Sequence, residues 1–231
     1  MVKRSAAGTE RQWGRPEGDS RVSESEGKVG ARTLEGWSAW FGLSLSSDAR
    51  DRLLEFAELL LAWGERINLT AARSVGELVA DHLPDSFAIA SRLGARGEAP
   101  NGVIDVGSGG GLPAIPLALL RPHDRFTLVE ATGKKVAFLR TAVRELALGD
   151  RVRVEHRRLE EGELGEFDVA TSRAMLAPPE WMSLARHLVQ LRGSIFCLGT
   201  RALVGAAEGL RLVDERSYRP DRWVAELERS T

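Results

Sequence analysis

The segment Val103-Ile104-Asp105-Val106-Gly107-Ser108-Gly109-Gly110-Gly111-Leu112-Pro113 narrows the choice of fold more than any other part of the chain. A short apolar strand runs into a glycine-rich turn, and the apolar run Leu112–Leu120 after it predicts a helix. Glycine is needed where φ is positive, or where a ligand must approach the backbone with no Cβ in the way. A strand end and the following helix N-terminus together form a ligand site at the carboxyl edge of a sheet. Pro113 suits a first helical turn, where its missing N–H loses no partner.

The spacing of the glycines selects the ligand. A dinucleotide fold wants Gly-x-Gly-x-x-Gly, but Leu112 stands where the third glycine belongs, and no Gly-Lys-Ser/Thr follows to make a P-loop. Asp105, two residues before Gly107, would repel a pyrophosphate but suits a cationic amino-acid group. Asp-x-Gly-x-Gly-x-Gly resembles the first signature of the Rossmann-like methyltransferases that bind S-adenosylmethionine. Glu130 ends the next apolar run, 19 residues past Gly111. An acidic residue about 20 residues downstream can accept both ribose hydroxyls. The expected cofactor is therefore S-adenosylmethionine, held by Asp105, Gly107, Gly109, Gly111, Leu112 and Glu130.

The rest of the chain fits that frame. Residues 1–33 are rich in Gly, Ser, Glu and Arg and read as a flexible tail. Leu53, Phe56, Ala57, Leu60 and Trp63 recur at helical spacing, with Ser47 as the expected N-cap. Ser74 and Glu77 fit a capping box, and Pro84 with Asp85 opens another helical segment through Leu93, so residues 34–97 read as a helical subdomain. Residues 98–231 read as the cofactor-binding core, with Gly94–Gly102 as a linker. Strands are expected at Val103–Val106, Phe126–Glu130, Val152–Glu155, Phe167–Thr171 and Ser194–Leu198, with helices at Lys134–Leu148 and Pro179–Leu191 and a terminal strand pair at Leu210–Asp214 and Arg222–Leu227. The fold class is α/β, a parallel sheet with helices on both faces and a helical subdomain before it.

Four blocks carry a closer likeness: Trp63-Gly64-Glu65-Arg66-Ile67-Asn68-Leu69-Thr70, His82-Leu83-Pro84-Asp85-Ser86, the glycine loop through Leu117, and Gly133-Lys134-Lys135-Val136-Ala137-Phe138-Leu139 with the later Ser172-Arg173-Ala174. In these the sequence resembles the ribosomal RNA small subunit methyltransferase G family, also called glucose-inhibited division protein B. The resemblance implies a class I methyltransferase fold and transfer of a methyl group to N7 of a guanine in 16S ribosomal RNA, as naked RNA or in the 30S subunit. It also implies that Gly107 and Leu112 line the methionine and adenosine pocket, that Leu159 and Glu160 meet the adenine, and that Arg173 borders the place where cofactor and base meet. Asn68, Thr70, His82, Lys134 and Lys135 become RNA-binding candidates. Three departures stand out: Ala114 where the family often has Gly, Asp81 where a basic residue commonly precedes the histidine, and Gly199-Thr200 where a Lys-Gly pair often follows the fifth strand.

Guanine N7 has a free lone pair and no proton, so the chemistry needs no general base; Arg173 is expected to position rather than to shuttle protons, which leaves alignment as the main source of catalysis. Residues 134–158 hold eight cations against three anions, an excess that favours phosphate contacts but equally fits a solvated helix face. The overall formal charge of −1 neither points to nucleic acid nor excludes it. The lone Cys197 forbids an internal disulfide and lies in an apolar run, and the four histidines lack metal-ligand spacing, so no metal is expected. No apolar run is long enough for a membrane span and no secretory signal is read, so a cytoplasmic location is expected. The protein is also expected to be a monomer. Two alternatives stay open: a methyltransferase of this fold acting on a small molecule or protein, and a non-catalytic module that binds S-adenosylmethionine or RNA.

Overall fold

The computed structural model describes residues 24–95, 102–159, 165–173, 176–199, 207–220 and 222–231. Helices α1 (Glu24–Trp40), α2 (Ser47–Gly64), α3 (Val75–Asp81) and α4 (Pro84–Gly94) precede the sheet. Strands β1 (Val103–Val106), β2 (Phe126–Glu130), β3 (Val152–His156), β4 (Phe167–Ser172) and β5 (Val189–Gly199) follow, interleaved with α5 (Ala114–Leu120), α6 (Gly133–Glu145) and α7 (Pro178–Leu188), and β6 (Leu210–Arg219) and β7 (Arg222–Arg229) close the chain. The strand order is β3-β2-β1-β4-β5-β7-β6. The first five strands run parallel, while β7 is antiparallel to both of its neighbours, β5 and β6. The chain leaves β1 towards β2 and β3 and then returns to β4, so the strand order reverses between β1 and β4, where open sheets of this kind bind ligands.

Alternation along the strands decides what covers each face. Val103, Phe126, Leu128, Val169, Phe196 and Val224 share one apolar cluster with residues of α2, α3, α4, α5 and α6. Ile104, Val129, Ala170, Ile195, Cys197 and Leu227 face the other way, onto Trp181, Met182, Ala185 and Leu188 of α7. The early helices and one face of the sheet therefore share a continuous core. Trp63 belongs to that core, with its ring edge-on to Phe138 at 5.7 Å. Cys197 is a buried free thiol whose pKa burial pushes up to about 12. Among the described residues no helix is long and apolar enough to cross a membrane.

Several boundaries differ from the sequence expectation. Helix α1 begins at Glu24, so residues 24–33 are helical rather than part of a tail; residues 1–23 lie outside the described ones. Sparse apolar residues suffice there because packing, not composition, anchors the helix: Leu34 is fully buried, and a Cβ at Gly30 would come within 2.9 Å of Leu54. The cap of α2 is Ser46 rather than Ser47, because the Ser46 hydroxyl accepts the N–H of Ala49 at 3.1 Å. Ser74 caps α3 as expected, accepting the N–H of Glu77 at 3.1 Å. Helix α5 starts at Ala114, two residues late, since the chain is still turning through Gly111–Pro113. Helix α7 stops at Leu188 because Val189 already pairs with Phe167 of β4.

Candidate active site

The carboxyl ends of β1, β2 and β4 open into a cavity of about 670 Å³. That falls in the range of pockets that hold molecules of cofactor size. Val106, Gly107, Ser108, Gly109, Gly110 and Leu112 line it from the first strand and its turn, and Val129, Glu130, Ala131 and Lys135 from the second. Arg157, Arg158 and Leu159 follow β3, Arg173 follows β4, and Leu69, Leu176 and Leu184 complete the wall. Of the residues expected to hold a cofactor, Gly107, Gly109, Leu112, Glu130, Leu159 and Arg173 thus face one cavity. Glu160 lies outside the described residues.

The glycines divide between two tasks. Gly107, Gly109 and Gly111 take φ values of +70°, +55° and +76°. A Cβ on Gly111 would come within 2.6 Å of Ile115 and 3.3 Å of Leu139, so this glycine lets α5 and α6 pack and does not itself line the cavity. Gly110 allows a different approach: a Cβ there would be 3.0 Å from the Leu69 carbonyl oxygen and 3.1 Å from Leu60, so the bare backbone lets the segment after α2 close over the loop. The Asn68-Leu69-Thr70 segment therefore reaches the site through Leu69; Asn68 is exposed, and the Thr70 hydroxyl accepts the N–H of Ala72 at 3.2 Å.

Glu130 joins the two strand ends. Its Oε2 accepts the N–H of Gly109 at 2.9 Å and its Oε1 the N–H of Thr132 at 2.7 Å. Burial pushes its pKa up, but the N–H groups of Thr132 and Gly109 outweigh burial and hold it below the usual carboxylate range. The carboxylate is thus ionised and fixed, with lone pairs left for hydroxyl donors.

Asp105 lies beneath the loop and is not among the cavity-lining residues. Its Oδ1 accepts the Thr171 hydroxyl at 2.8 Å, while its Oδ2 is buried with no hydrogen-bond partner among the described residues. Burial pushes its pKa up to about 7, against the opposing hydroxyls of Ser108 and Thr171. A cationic group would have to reach it through the loop rather than across the open cavity.

Arg173 is held from behind. Its Nη1 is 3.2 Å from His82 Nδ1 and 3.6 Å from Asp85 Oδ2. Burial, and then the Arg173 charge, lower the pKa of His82, so the neutral imidazole takes the guanidinium N–H on Nδ1. Asp85 Oδ1 in turn accepts the Tyr218 hydroxyl. Ser86, one residue on, donates its hydroxyl to the Pro113 carbonyl at 2.9 Å and ties α4 to the glycine loop. His82, expected as an RNA contact, is thus engaged with Arg173. Asp81, the acidic departure just before it, pairs with Arg219 on β6.

The basic stretch 134–158 is less free than its charge count suggests. Arg151 turns inward onto the Ala118 and Arg121 carbonyls, and Arg144 pairs with Glu145 at 2.8 Å. Glu155 holds Arg153 at 3.2 Å and Arg157 at 2.8 Å. Lys134 is exposed, whereas Lys135 is half-buried and lines the cavity, so the two lysines face different surroundings.

Sequence reasoning did not single out Ser108, Ala131, Leu176 and Leu184 as cavity residues, nor Ser86 and Tyr218 as supports. Ser86 stood inside a recognised block, whereas Tyr218 carried no local signal.

Three comparisons bear on identity. A family model described as GidB, rRNA small subunit methyltransferase G, matches residues 49–208. The ribosomal RNA small subunit methyltransferase G of Burkholderia thailandensis is 40% identical over 184 residues, covering 78% of this chain and 75% of that protein. Its counterpart in Pseudomonas putida (strain GB-1) is 37% identical over 203 residues, covering 87% and 85%. The solved structure of yhhF from Escherichia coli aligns with a TM-score of 0.53 at 15% identity, covering 63% of this chain and 85% of that one, a likeness of fold. With a class I methyltransferase sheet and a bare loop facing an ionised glutamate, the chain belongs to the rRNA small subunit methyltransferase G (GidB) family, enzymes that methylate ribosomal RNA with S-adenosylmethionine as cofactor.

Proposed function

We propose that the protein transfers a methyl group from S-adenosylmethionine to N7 of a guanine in 16S ribosomal RNA. One observation carries the reading: Glu130 is fixed by Gly109 and Thr132 at the edge of a cavity whose floor is bare glycine backbone. The donor set fits the cofactor. Glu130 would accept the ribose hydroxyls, Gly107 and Gly109 would let the chain of the cofactor lie against backbone, and Val129, Leu159 and Leu184 would give apolar walls to the adenine. Asp105 and Gly111 would support the loop from below.

When bound, the cofactor supplies an electrophilic methyl group on a sulfonium. The target nitrogen carries no proton, so no side chain has to remove one. The protein's contribution is alignment and exclusion of water, which can supply several kcal/mol. Arg173 borders the cavity with one nitrogen restrained by His82 and Asp85, and its remaining N–H groups would orient the base. The guanine must leave its stack to reach this depth. Lys134 would meet phosphate outside the cavity.

On this reading the enzyme works in the cytoplasm beside its substrate, as a monomer. The test is transfer of labelled methyl to 30S subunits and to naked 16S RNA from cells lacking the gene, followed by borohydride and aniline cleavage, which cuts at N7-methylguanosine. One cut site is expected. Absence of label from both substrates, with cofactor binding intact, would leave a non-catalytic module or a different substrate.

A further inference from the structure

We propose that Tyr218, on the C-terminal hairpin, is a positioning residue for methyl transfer, acting through Asp85 on Arg173. The proposal rests on the reading of Arg173 given above.

Tyr218 is on β6, far along the chain from both partners, and only 8% exposed. Its hydroxyl donates to Asp85 Oδ1, while Asp85 Oδ2 faces Arg173 Nη1 at 3.6 Å. The two oxygens of one buried carboxylate thus have different partners, the phenol on one side and the guanidinium on the other. A carboxylate gripped at one oxygen can still rotate about its terminal torsion; a donor on the second oxygen fixes its plane. Fixing that plane fixes where Arg173 points, because the same Nη1 also meets His82 at 3.2 Å.

The phenol is well placed for this task. Its ring meets Phe41 edge-on, with centroids 5.9 Å apart at 66°, so the ring is packed independently of the hydroxyl. Burial, and then the neighbouring Asp85 charge, hold its pKa above the usual tyrosine value, so the hydroxyl remains a donor. The hairpin is tied down beside it, since Arg219 donates to the Ala80 carbonyl at 3.2 Å as well as pairing with Asp81. The end of β6 is therefore docked on the α3–α4 junction, next to the guanidinium that borders the cavity.

The test is a double-variant cycle on the full chain with 30S subunits as substrate. Tyr218→Phe keeps the packed ring and removes one hydroxyl. It should lower kcat about tenfold or more while leaving the KM for S-adenosylmethionine within about twofold. In an Arg173→Lys background, adding Tyr218→Phe should change kcat less than about twofold, because both act through one group. Asp85→Asn repeats the test from the middle of the network should the tyrosine variant fold poorly. Equal losses in both backgrounds, or an unchanged kcat with only a lower melting temperature, would overturn the proposal and leave Tyr218 a structural residue. An Arg173→Lys enzyme at the wild-type rate would overturn the reading of Arg173 itself, and a wild-type protein inert on every RNA would overturn the substrate.

Discussion

Glu130 closes the bend that follows β1: its Oε2 accepts the backbone N–H of Gly109 at 2.9 Å, so one carboxylate both shapes the loop and faces the cavity. Loop geometry and cofactor affinity are therefore coupled at a single side chain. Glu130→Gln keeps the size but replaces one acceptor oxygen by a donor, which then confronts a backbone N–H. Hydrogen bonds to a charged group are worth about 1.5–3 kcal/mol. Calorimetry should show S-adenosylmethionine binding weakened roughly ten- to a hundredfold. Wild-type affinity in this variant would mean that the carboxylate serves the loop alone.

Asp105 gives a pH dependence of definite sign. Burial raises its folded-state pKa from 3.8 to about 7. Between those values the folded protein binds a proton that the unfolded chain has lost, so this group makes stability fall as pH rises through that window. Below about 4 it contributes no such penalty, and above about 7 the penalty is complete. Asp105→Asn should flatten this part of the stability profile and gain on the wild type towards pH 8. Denaturant midpoints taken from pH 4.5 to 8 check it; parallel profiles for the two proteins would count against the assignment.

Lys134 and Lys135 are neighbours in sequence with different surroundings, the first exposed and the second on the cavity wall. Lys134→Ala should weaken RNA binding and reduce the slope of log affinity against log salt by about 1, with cofactor affinity unchanged. Lys135→Ala should weaken cofactor binding as well. Titrations of each variant with S-adenosylhomocysteine and with RNA separate the two effects. Identical behaviour would show that both serve one ligand.

Local patterns carried most of what could be read before the structure. The strands β1 and β2 fall where their short apolar runs and the glycine turn put them, because their apolar residues and their breakers are contiguous. Glu130 was legible for the same reason: a fixed spacing along one βαβ unit sets its place. Helix α1 was not, since its anchoring depends on Leu34 and Gly30 meeting other helices rather than on its own composition. The role of Arg151 was hidden too, because a cation in a basic run gives no sign that it turns inward onto the Ala118 carbonyl. Tyr218 is the extreme case. Its partner Asp85 is 133 residues away, and no periodicity relates them.

Gly109 and Gly111 should respond differently to the same substitution. Gly111 combines a φ of +76° with a Cβ position 2.6 Å from Ile115, so alanine there brings both left-handed strain and a clash against a helix. Left-handed backbone costs an ordinary residue about 1–2 kcal/mol, and overpacking adds about 1–3 kcal/mol. Gly111→Ala should therefore lose roughly 2–5 kcal/mol of stability by these two effects, while the folded fraction binds the cofactor nearly as before, since this residue does not line the cavity. Gly109, at a φ of +55°, shares the backbone strain but has room for a Cβ, whose nearest neighbour would be the Gly107 carbonyl oxygen at 3.6 Å; it lines the cavity and donates to Glu130. Gly109→Ala should thus cost less stability and more affinity. Chemical denaturation paired with calorimetry on both variants reads the contrast directly, and a reversed order would mean that the packing glycine and the ligand glycine have been exchanged.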